Sequence, residues 1–136
     1  MDVFDAEKRS AVMRAVKSKD TAPEMKVRRL LHRAGYRFRL HRADLPGKPD
    51  IVFPARRAAI FVHGCFWHQH PGCRHADRPS SNSPYWNKKL SRNVERDSAH
   101  VTALREQGWS VLTLWECEVR SLDVLPKLER FLKLRS

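Results

Sequence analysis

Three cysteines and a histidine form the first pattern in this sequence that could bind a metal ion. Cys65, His70 and Cys73 follow the spacing C-x4-H-x2-C, and Cys117 comes much later in the chain. Thiolate sulfur and imidazole nitrogen are the ligands of closed tetrahedral zinc sites. Because four protein ligands leave no open position for a substrate, the pattern predicts a structural zinc ion rather than a catalytic one.

The ordinary interpretation of these residues is weaker. One cysteine alone would more often be a buried apolar residue, and a single histidine would more often be a loop residue. The chain contains three cysteines, and an odd number argues against a disulfide framework. The fourth ligand stays open at this point, because His68 and His75 lie close to His70 in the sequence.

A second pattern, around Asp50, is typical of phosphodiester hydrolysis. Asp50 follows the loop Leu45-Pro-Gly-Lys-Pro49 and begins one predicted strand, and the next strand ends in Phe61-Val62-His63. In the PD-(D/E)xK nucleases, which this arrangement resembles, an Asp and a second strand hold a metal ion against the scissile phosphate. Here Phe61 and His63 replace the usual second acid and lysine. The Val62 carbonyl could still join Asp50 in binding magnesium, which accepts both kinds of oxygen.

Hydrolysis also requires a base that takes a proton from water, and His63 and His68 are the candidates. An imidazole titrates near neutral pH and can accept that proton. Glu24 and Asp97 are further candidates, since each could add negative charge or hold metal-bound water. The alternatives are a capping-box role for Glu24, a solvated helix position for Asp97, a structural role for His63 and a turn cap for Asp50.

The elements that must position these residues follow from the hydrophobic pattern. Thr21 and Pro23 begin a helix that ends at Gly35. The remaining elements are strands over 36–40, 50–53 and 58–62, a long loop over 64–84, a charged helix over 85–107, a buried strand over 109–115, and a last helix capped by Ser121 and running through Leu134, with Leu122, Leu125, Leu128 and Leu132 on one side.

The crossover from the strand at 58–63 to the strand at 109–116 favours parallel neighbours in one sheet. We therefore predict an α/β fold, a small mixed sheet flanked by helices, which is PD-(D/E)xK restriction-endonuclease-like and carries a structural zinc site. Parallel neighbours end at the same sheet edge, so this topology brings Cys117 beside the loop that holds the other zinc ligands. Trp109 and Trp115 are predicted to be core residues.

The composition indicates one basic domain. At 136 residues the chain is predicted to form a single domain, residues 1–136, with residues 1–20 as an arm or helix that contacts DNA. It carries 27 Lys and Arg against 15 acids, a formal net charge of +12, which favours nucleic acid over a merely soluble cationic protein. Without a membrane span or an export signal, we expect a cytoplasmic protein. No dimerisation face is evident, so we expect a monomer.

Four segments together carry a close resemblance to the very short patch repair (Vsr) DNA mismatch endonucleases. These segments are Leu45-Pro-Gly-Lys-Pro-Asp50, Phe61-Val-His-Gly-Cys-Phe-Trp-His68, Asn93-Val-Glu-Arg-Asp97, and Gly108-Trp109 through Trp115-Glu-Cys117. The resemblance spans roughly Arg9 to Cys117, and the segment His63-Gly-Cys-Phe-Trp-His68 is its most specific part. It implies an enzyme that uses catalytic Mg²⁺ and structural Zn²⁺ and nicks duplex DNA 5′ to the thymine of T·G mismatches. Such mismatches arise when 5-methylcytosine deaminates, and the nick initiates very short patch repair.

The resemblance also implies a role for each site residue. It makes Asp50 the metal-binding carboxylate and His68 the general base. His63, Glu24 and Asp97 fall on active-site positions, and Val62 stands where the family often has Thr. The implied zinc ligands are Cys65, His70, Cys73 and Cys117, with one residue more than expected between His70 and Cys73.

The implied DNA contacts are mostly aromatic and polar. Phe66, Trp67 and Trp86 match aromatics that wedge into the base stack. Unstacking a base step costs a few kcal/mol, and the additional contacts made in the distorted duplex offset that cost. Lys89 and Asn93, one helical turn apart, match residues that touch the mismatched bases. Met13 matches a residue inserted from the minor groove, and Arg9, Arg14 and Lys17 suit phosphate contacts.

Two other functions remain as alternatives. One is a restriction-type PD-(D/E)xK endonuclease that cuts intact sites. The other is a zinc-stabilised DNA-binding module without catalysis, which would bind duplex DNA equally well with and without magnesium. For the mismatch endonuclease, the expected partner is double-stranded DNA containing a T·G mismatch, with other DNA repair proteins as further candidates.

Overall fold

Residues 20–133, which the computed structural model describes, form a helix, three strands, a long helix, a fourth strand and two final helices. The strands are β1 (Arg39–Leu40), β2 (Ile51–Phe53), β3 (Ala58–His63) and β4 (Ser110–Trp115). The helices are α1 (Ala22–Arg33), α2 (Ser83–Glu106), α3 (Glu116–Ser121) and α4 (Leu125–Lys133), with short 3-10 turns at Pro54–Arg56 and Arg74–Ala76.

The four strands form one mixed sheet in the order β1-β2-β3-β4. β1 and β3 both pair with β2 in antiparallel fashion, whereas β3 and β4 are parallel neighbours joined through α2. The register pairs Ala58 with Ser110 at one end and His63 with Trp115 at the other. The predicted mixed α/β sheet and the parallel crossover are therefore confirmed.

α1 begins and ends where its sequence predicts. The Thr21 hydroxyl accepts a hydrogen bond from the Glu24 N–H at 3.4 Å, which satisfies one of the free amides at the start of the helix. Pro23 occupies the first turn, where it loses no hydrogen bond. Gly35 follows the helix with a φ of +90°, a conformation that a side chain would disfavour.

The main core lies between the sheet and helices α1, α3 and α4. Its members are all buried apolar side chains: Val27, Leu31, Ile51, Phe53, Ala58, Ile60, Leu114, Val119, Val124, Leu128 and Leu132. Burying one such Leu, Ile or Phe side chain contributes about 1.5–3 kcal/mol. α2 contacts β4 and buries Trp86, Leu90 and Leu104. The sheet is thereby held rigidly enough to position the polar groups at its edge.

The predicted last helix was wrong in its boundaries. Residues after β4 form the short helix α3, which ends at Ser121, and α4 begins only at Leu125. Glu118 accepts the Trp115 N–H at 3.2 Å and so starts α3 early, while Asp123 accepts the Leu125 N–H at 3.1 Å. As a result, Leu122 is 60% exposed rather than part of an apolar helix face.

Two smaller predictions were also inaccurate. Trp109 and Trp115 are half-buried and do not belong to the main core, since β4 is a strand at the edge of the sheet among the described residues. The strand predicted over 36–40 contains only Arg39–Leu40, while Tyr36 and Phe38 pack their rings edge-on against Phe53.

Some predictions concern residues outside the described part of the chain. Met13, Arg9, Arg14 and Lys17 lie there, as does all but Asp20 of the arm predicted over residues 1–20. Within residues 20–133, no helix combines the length and the apolar character that crossing a bilayer would require.

Candidate active site and metal centre

Asp50 and Val62 meet at the sheet edge where β3 ends. β2 runs antiparallel to β3, so the residue that precedes β2 lies beside the last residues of β3. There the Asp50 carboxylate accepts a hydrogen bond from the Val62 N–H, with an oxygen–nitrogen distance of 2.7 Å. The antiparallel pairing thus brings together the two residues predicted to bind magnesium.

The electrostatic environment of Asp50 disfavours its charged form when no cation is present. Burial raises the pKa of Asp50 to about 7, and a hydrogen bond and the negative charge from Glu24 act in the same direction. The Val62 N–H and the charge of His68 oppose this shift and lower the pKa. Two carboxyl groups held against each other at a cleft fit a hard divalent cation, which would neutralise both.

Glu24 is the most buried charged group of this site. Its carboxylate is 1% exposed and contacts the Arg28 guanidinium and the His41 Nε2, the latter at 2.8 Å. Asp20, Glu24 and His41 are also close enough together to hold a metal ion jointly. Glu24 therefore does more than cap α1, although its side chain also accepts the Asp20 N–H at 3.3 Å.

His63, His68 and Asp97, all predicted site residues, form a compact group at the cleft that also contains Asp50. The His68 Nδ1 lies 2.6 Å from an Asp97 carboxylate oxygen, which joins the loop after β3 to α2. The His63 and His68 rings are stacked, with centroids 3.7 Å apart and planes inclined by 6°. Burial, followed by the nearby charge of His68, lowers the pKa of His63 to about 3, so His63 is neutral at physiological pH.

These groups face a cleft of about 290 Å³. Sequence reasoning missed five of its lining residues: His41, Gly47, Lys48, Arg96 and His100. Two signals were available in the sequence. Gly47 and Lys48 belong to the same loop as Asp50, and Arg96 and His100 flank Asp97 on a helix at neighbouring and i+3 spacing. Lys48 and Arg96 therefore add two cationic side chains to the cleft, which suits a phosphodiester ligand.

Gly47 allows the loop before Asp50 to approach α2. A side-chain carbon at this position would lie 2.8–2.9 Å from three atoms of His100, closer than real contacts allow. Gly47 also has a φ of +74°, and Lys48 has a φ of +50°. The turn is closed by a hydrogen bond from the Lys48 N–H to the Leu45 carbonyl at 3.0 Å.

All four predicted zinc ligands converge at the same edge of the sheet. The ligand atoms of Cys65, His70, Cys73 and Cys117 lie within 4.8 Å of one another. The His70 Nδ1 is 3.4 Å from the Cys117 sulfur and 3.7 Å from the Cys65 sulfur. Three thiols and one imidazole in this arrangement fit a tetrahedral zinc ion.

The structure distinguishes between the candidate fourth ligands. His68 turns toward Asp97 and His75 is exposed, whereas His70 stacks on the Trp115 ring with centroids 4.4 Å apart. Burial raises the pKa of the Cys65 thiol to about 12, so a thiolate there requires a cation beside it. Glu116 holds the backbone of this loop by accepting the Cys65 N–H at 3.0 Å.

The aromatic residues predicted to wedge into DNA form one cluster. Phe66, Trp67 and Trp86 have ring centroids 5.2–6.1 Å apart. Phe66 and Trp67 are half-buried, but Trp86 is only 5% exposed and packs against both. Tyr85, which sequence reasoning missed, is 47% exposed beside Trp86.

Lys89 and Asn93 connect this cluster to α2. The Lys89 ammonium lies 5.5 Å from the centre of the Trp67 ring and 3.4 Å from the Tyr85 hydroxyl. The Asn93 side-chain amide donates a hydrogen bond to the Trp67 carbonyl at 3.1 Å. Both residues thus lie beside the aromatic cluster, on the helix that also carries Asp97.

Comparison with known proteins gives consistent matches. The profile of the family described as DNA mismatch endonuclease Vsr matches residues 1–74. The chain is 52% identical over 124 residues to the type II nicking enzyme V.XorIIP of Xanthomonas oryzae pv. oryzae, covering 91% of this chain and 90% of that protein. It is 44% identical to the DNA mismatch endonuclease Vsr of Escherichia coli K12, covering 91% and 79%. It is 45% identical to the type II nicking enzyme V.NaeI of Lentzea aerocolonigenes, covering 81% and 68%.

Proposed function

Because this chain belongs to the Vsr family of DNA mismatch endonucleases and is therefore a nuclease that acts on DNA, we propose that it nicks duplex DNA 5′ to the thymine of a T·G mismatch. One observation carries this proposal. Asn93 binds the Trp67 carbonyl and Asp97 binds His68, and these two residues are one turn apart on α2. A single helix thus fixes the aromatic cluster relative to the candidate base.

Magnesium is the cofactor that best fits the cleft. The Asp50 carboxylate and the Val62 carbonyl would hold it, and Glu24 would add negative charge close by. When bound, the ion would stabilise the charge that develops on the phosphate and the leaving oxygen. The raised pKa of Asp50 supports this assignment, because a divalent cation is what would keep that carboxyl ionised.

His68 is the proposed general base. The Asp97 carboxylate would accept a hydrogen bond from the His68 Nδ1–H. The His68 Nε2 would then be available to take a proton from water. The lowered pKa of His63 makes it a poor proton acceptor at neutral pH. His63 instead keeps the His68 ring in its plane by stacking.

Mismatch recognition is assigned to the aromatic cluster and its polar neighbours. Phe66 and Trp67 would insert beside the mismatch, supported by the buried Trp86. A mismatched step is easier to deform than a paired one, so insertion would select for it. Lys89 and the side-chain carbonyl oxygen of Asn93 would then contact the exposed base edges. The cysteine and histidine cluster would hold a structural zinc ion that fixes this loop.

A nicking assay tests the proposal. An end-labelled duplex with one T·G pair, in magnesium, should be cut in one strand only, 5′ to the mismatched T. The matched T·A and C·G duplexes, with flanking sequences varied, should remain intact. Equal cutting of the paired duplexes would instead support a restriction-type enzyme. Asp50→Ala should bind the mismatched duplex without cutting it.

A further inference from the structure

A basic groove lies toward the end of the sheet opposite the catalytic cleft. Near the turn Pro54–Arg56, a groove of about 560 Å³ has Tyr36, Phe38 and Phe53 in its lining. It is contiguous with a smaller hollow of about 350 Å³, because both are lined by His32 and Phe38. Phe53 in the groove and Asp50 in the cleft are three residues apart along the chain at about 3.3 Å each, so the two sites are roughly 10 Å apart.

The groove is cationic on all sides. Arginines line it and the adjoining hollow, and no Asp or Glu of residues 20–133 contributes to either lining: Arg28, Arg29, Arg33, Arg37, Arg39 and Arg56. Arg37 and Arg39 are exposed and make no hydrogen bond or ion pair with another described side chain. Arg28 is paired with Asp20 and Glu24, so the exposed guanidinium groups of Arg37 and Arg39 are the ones that suit a ligand carrying carboxylates or phosphates.

The aromatic residues of the groove form a recess for a side chain rather than a flat surface on which bases could stack. The Arg56 guanidinium covers one face of Tyr36 at 5.2 Å, and Phe53 is only 2% exposed. Phe38 directs its ring edge-on toward Phe53. Single-stranded nucleic acid binds by stacking successive bases on open aromatic faces. The groove therefore suits a single inserted apolar side chain better than a series of stacked bases.

The neighbouring strand β1 offers backbone groups to an extended segment. His41 donates its N–H to the Asp50 carbonyl at 3.1 Å, which fixes the alternation of hydrogen bonds along β1. The N–H and C=O of Leu40 therefore point away from β2. β1 is an edge of the sheet among residues 20–133, so an added strand could pair with it.

We propose that this groove binds an acidic peptide segment of a partner protein, in which an apolar side chain is flanked by Asp and Glu. The apolar side chain enters the groove beside Phe38 and Ala55, while the acidic side chains pair with Arg37 and Arg39. No residue that lines this groove also lines the catalytic cleft. The inference does not depend on which base pair the enzyme recognises.

A binding experiment with the full chain tests this inference. The probe is a fluorescein-labelled peptide with a central Leu-Phe flanked on both sides by Asp and Glu, followed by anisotropy. Arg37→Glu/Arg39→Glu should weaken probe binding by about tenfold or more. The control Arg105→Glu/Arg130→Glu has the same net charge and reverses two exposed arginines elsewhere, so it should change binding by less than about twofold. Equal losses in both would reduce the effect to net charge and overturn the proposal.

Two further comparisons address the groove and the class of ligand. Ala55→Trp should fill the groove and weaken binding of the probe, and a peptide with Ser-Ser in place of Leu-Phe should bind poorly. Tighter binding of an oligodeoxythymidine of equal charge would instead identify a nucleic-acid site. If Asp5→Lys/Glu7→Lys strengthened probe binding, the occupant would be the chain's own N-terminal segment, and a partner protein would be the wrong assignment. Thermal melting checks that every variant folds.

Discussion

The Asp50 carboxylate accepts a hydrogen bond from the Val62 N–H at 2.7 Å, and this contact joins the loop before β2 to the end of β3. It holds an acid in a buried environment where it is ionised only reluctantly, since its pKa is raised to about 7. The strand pairing therefore stabilises a geometry whose electrostatics are unfavourable until a cation arrives. Two predictions about pH and metal follow from this relationship.

The first concerns stability without magnesium. The folded pKa of Asp50, about 7, exceeds the unfolded value near 3.9, so the folded state binds more protons between these pH values. Stability from this group is therefore present at low pH and is lost as the pH rises through about 7. Asp50→Asn should melt at a higher temperature than the wild type at about pH 8, and the difference should shrink toward about pH 5. A difference that did not vary with pH would contradict this, and Asp123→Asn, at an exposed site, is the control.

The second concerns the magnesium requirement for nicking. Protons compete with the cation for Asp50, and about nine-tenths of a group with a pKa near 7 is protonated at pH 6. The magnesium concentration for half-maximal nicking should be about tenfold higher at pH 6 than at pH 8. This is measured as a magnesium titration at each pH, which separates cation binding from protonation of His68. A requirement independent of pH would argue against Asp50 as the ligand.

Asp97→Asn tests the orientation of the base. The substitution removes the anion that holds the His68 Nδ1 at 2.6 Å while it preserves the size of the side chain. We expect single-turnover nicking to fall by about 10²–10⁴-fold, with mismatch affinity nearly unchanged. Glu95→Gln, at an exposed position of the same helix, should have little effect. If both variants lost mismatch affinity equally, the effect would come from charge rather than from positioning.

Cys117→Ser tests the proposed zinc site. Cys117 follows β4, far in sequence from the other three ligands, so its loss should release the loop and the metal. Zinc measured by elemental analysis should fall from one ion per chain, and unfolding free energy should drop by more than about 3 kcal/mol. His75→Ala alters an exposed histidine of the same loop and should retain the zinc. A full zinc content in Cys117→Ser would show that Cys117 is not a zinc ligand.

Gly47→Ala tests the close approach between the loop before Asp50 and α2. The added methyl group would clash with His100 at 2.8–2.9 Å, whereas the control Gly72→Ala has nearly the same φ and nothing within 4 Å. Backbone strain alone costs about 1 kcal/mol, and overpacking adds about 1–3 kcal/mol. Chemical denaturation should therefore show a larger loss for Gly47→Ala, accompanied by reduced nicking. Equal losses would mean that the contact with His100 contributes nothing.

Several features were predictable because they depend on local chemistry or on the order of the elements. Thr21, Pro23 and Gly35 mark the ends of α1 whatever the rest of the chain does. The alternation of strand, long loop, helix and strand predicted parallel β3 and β4, and this pairing alone places Cys117 beside the other ligands. Spacing alone left His70, His68 and His75 open as the fourth ligand, and the family resemblance selected His70. The fold supplies the physical reason, because it directs His70 toward the cysteines and leaves His75 exposed.

By itself, the sequence determined the ligand types, the acid at the head of β2 and the family, since these are properties of residue identity and spacing. Only the tertiary structure decided which groups share an environment. It buries Glu24 against Arg28 and His41, stacks His63 on His68, and adds Lys48, Arg96 and His100 to the cleft. Burial and charge at a point depend on every element that packs there, and no local pattern encodes that sum.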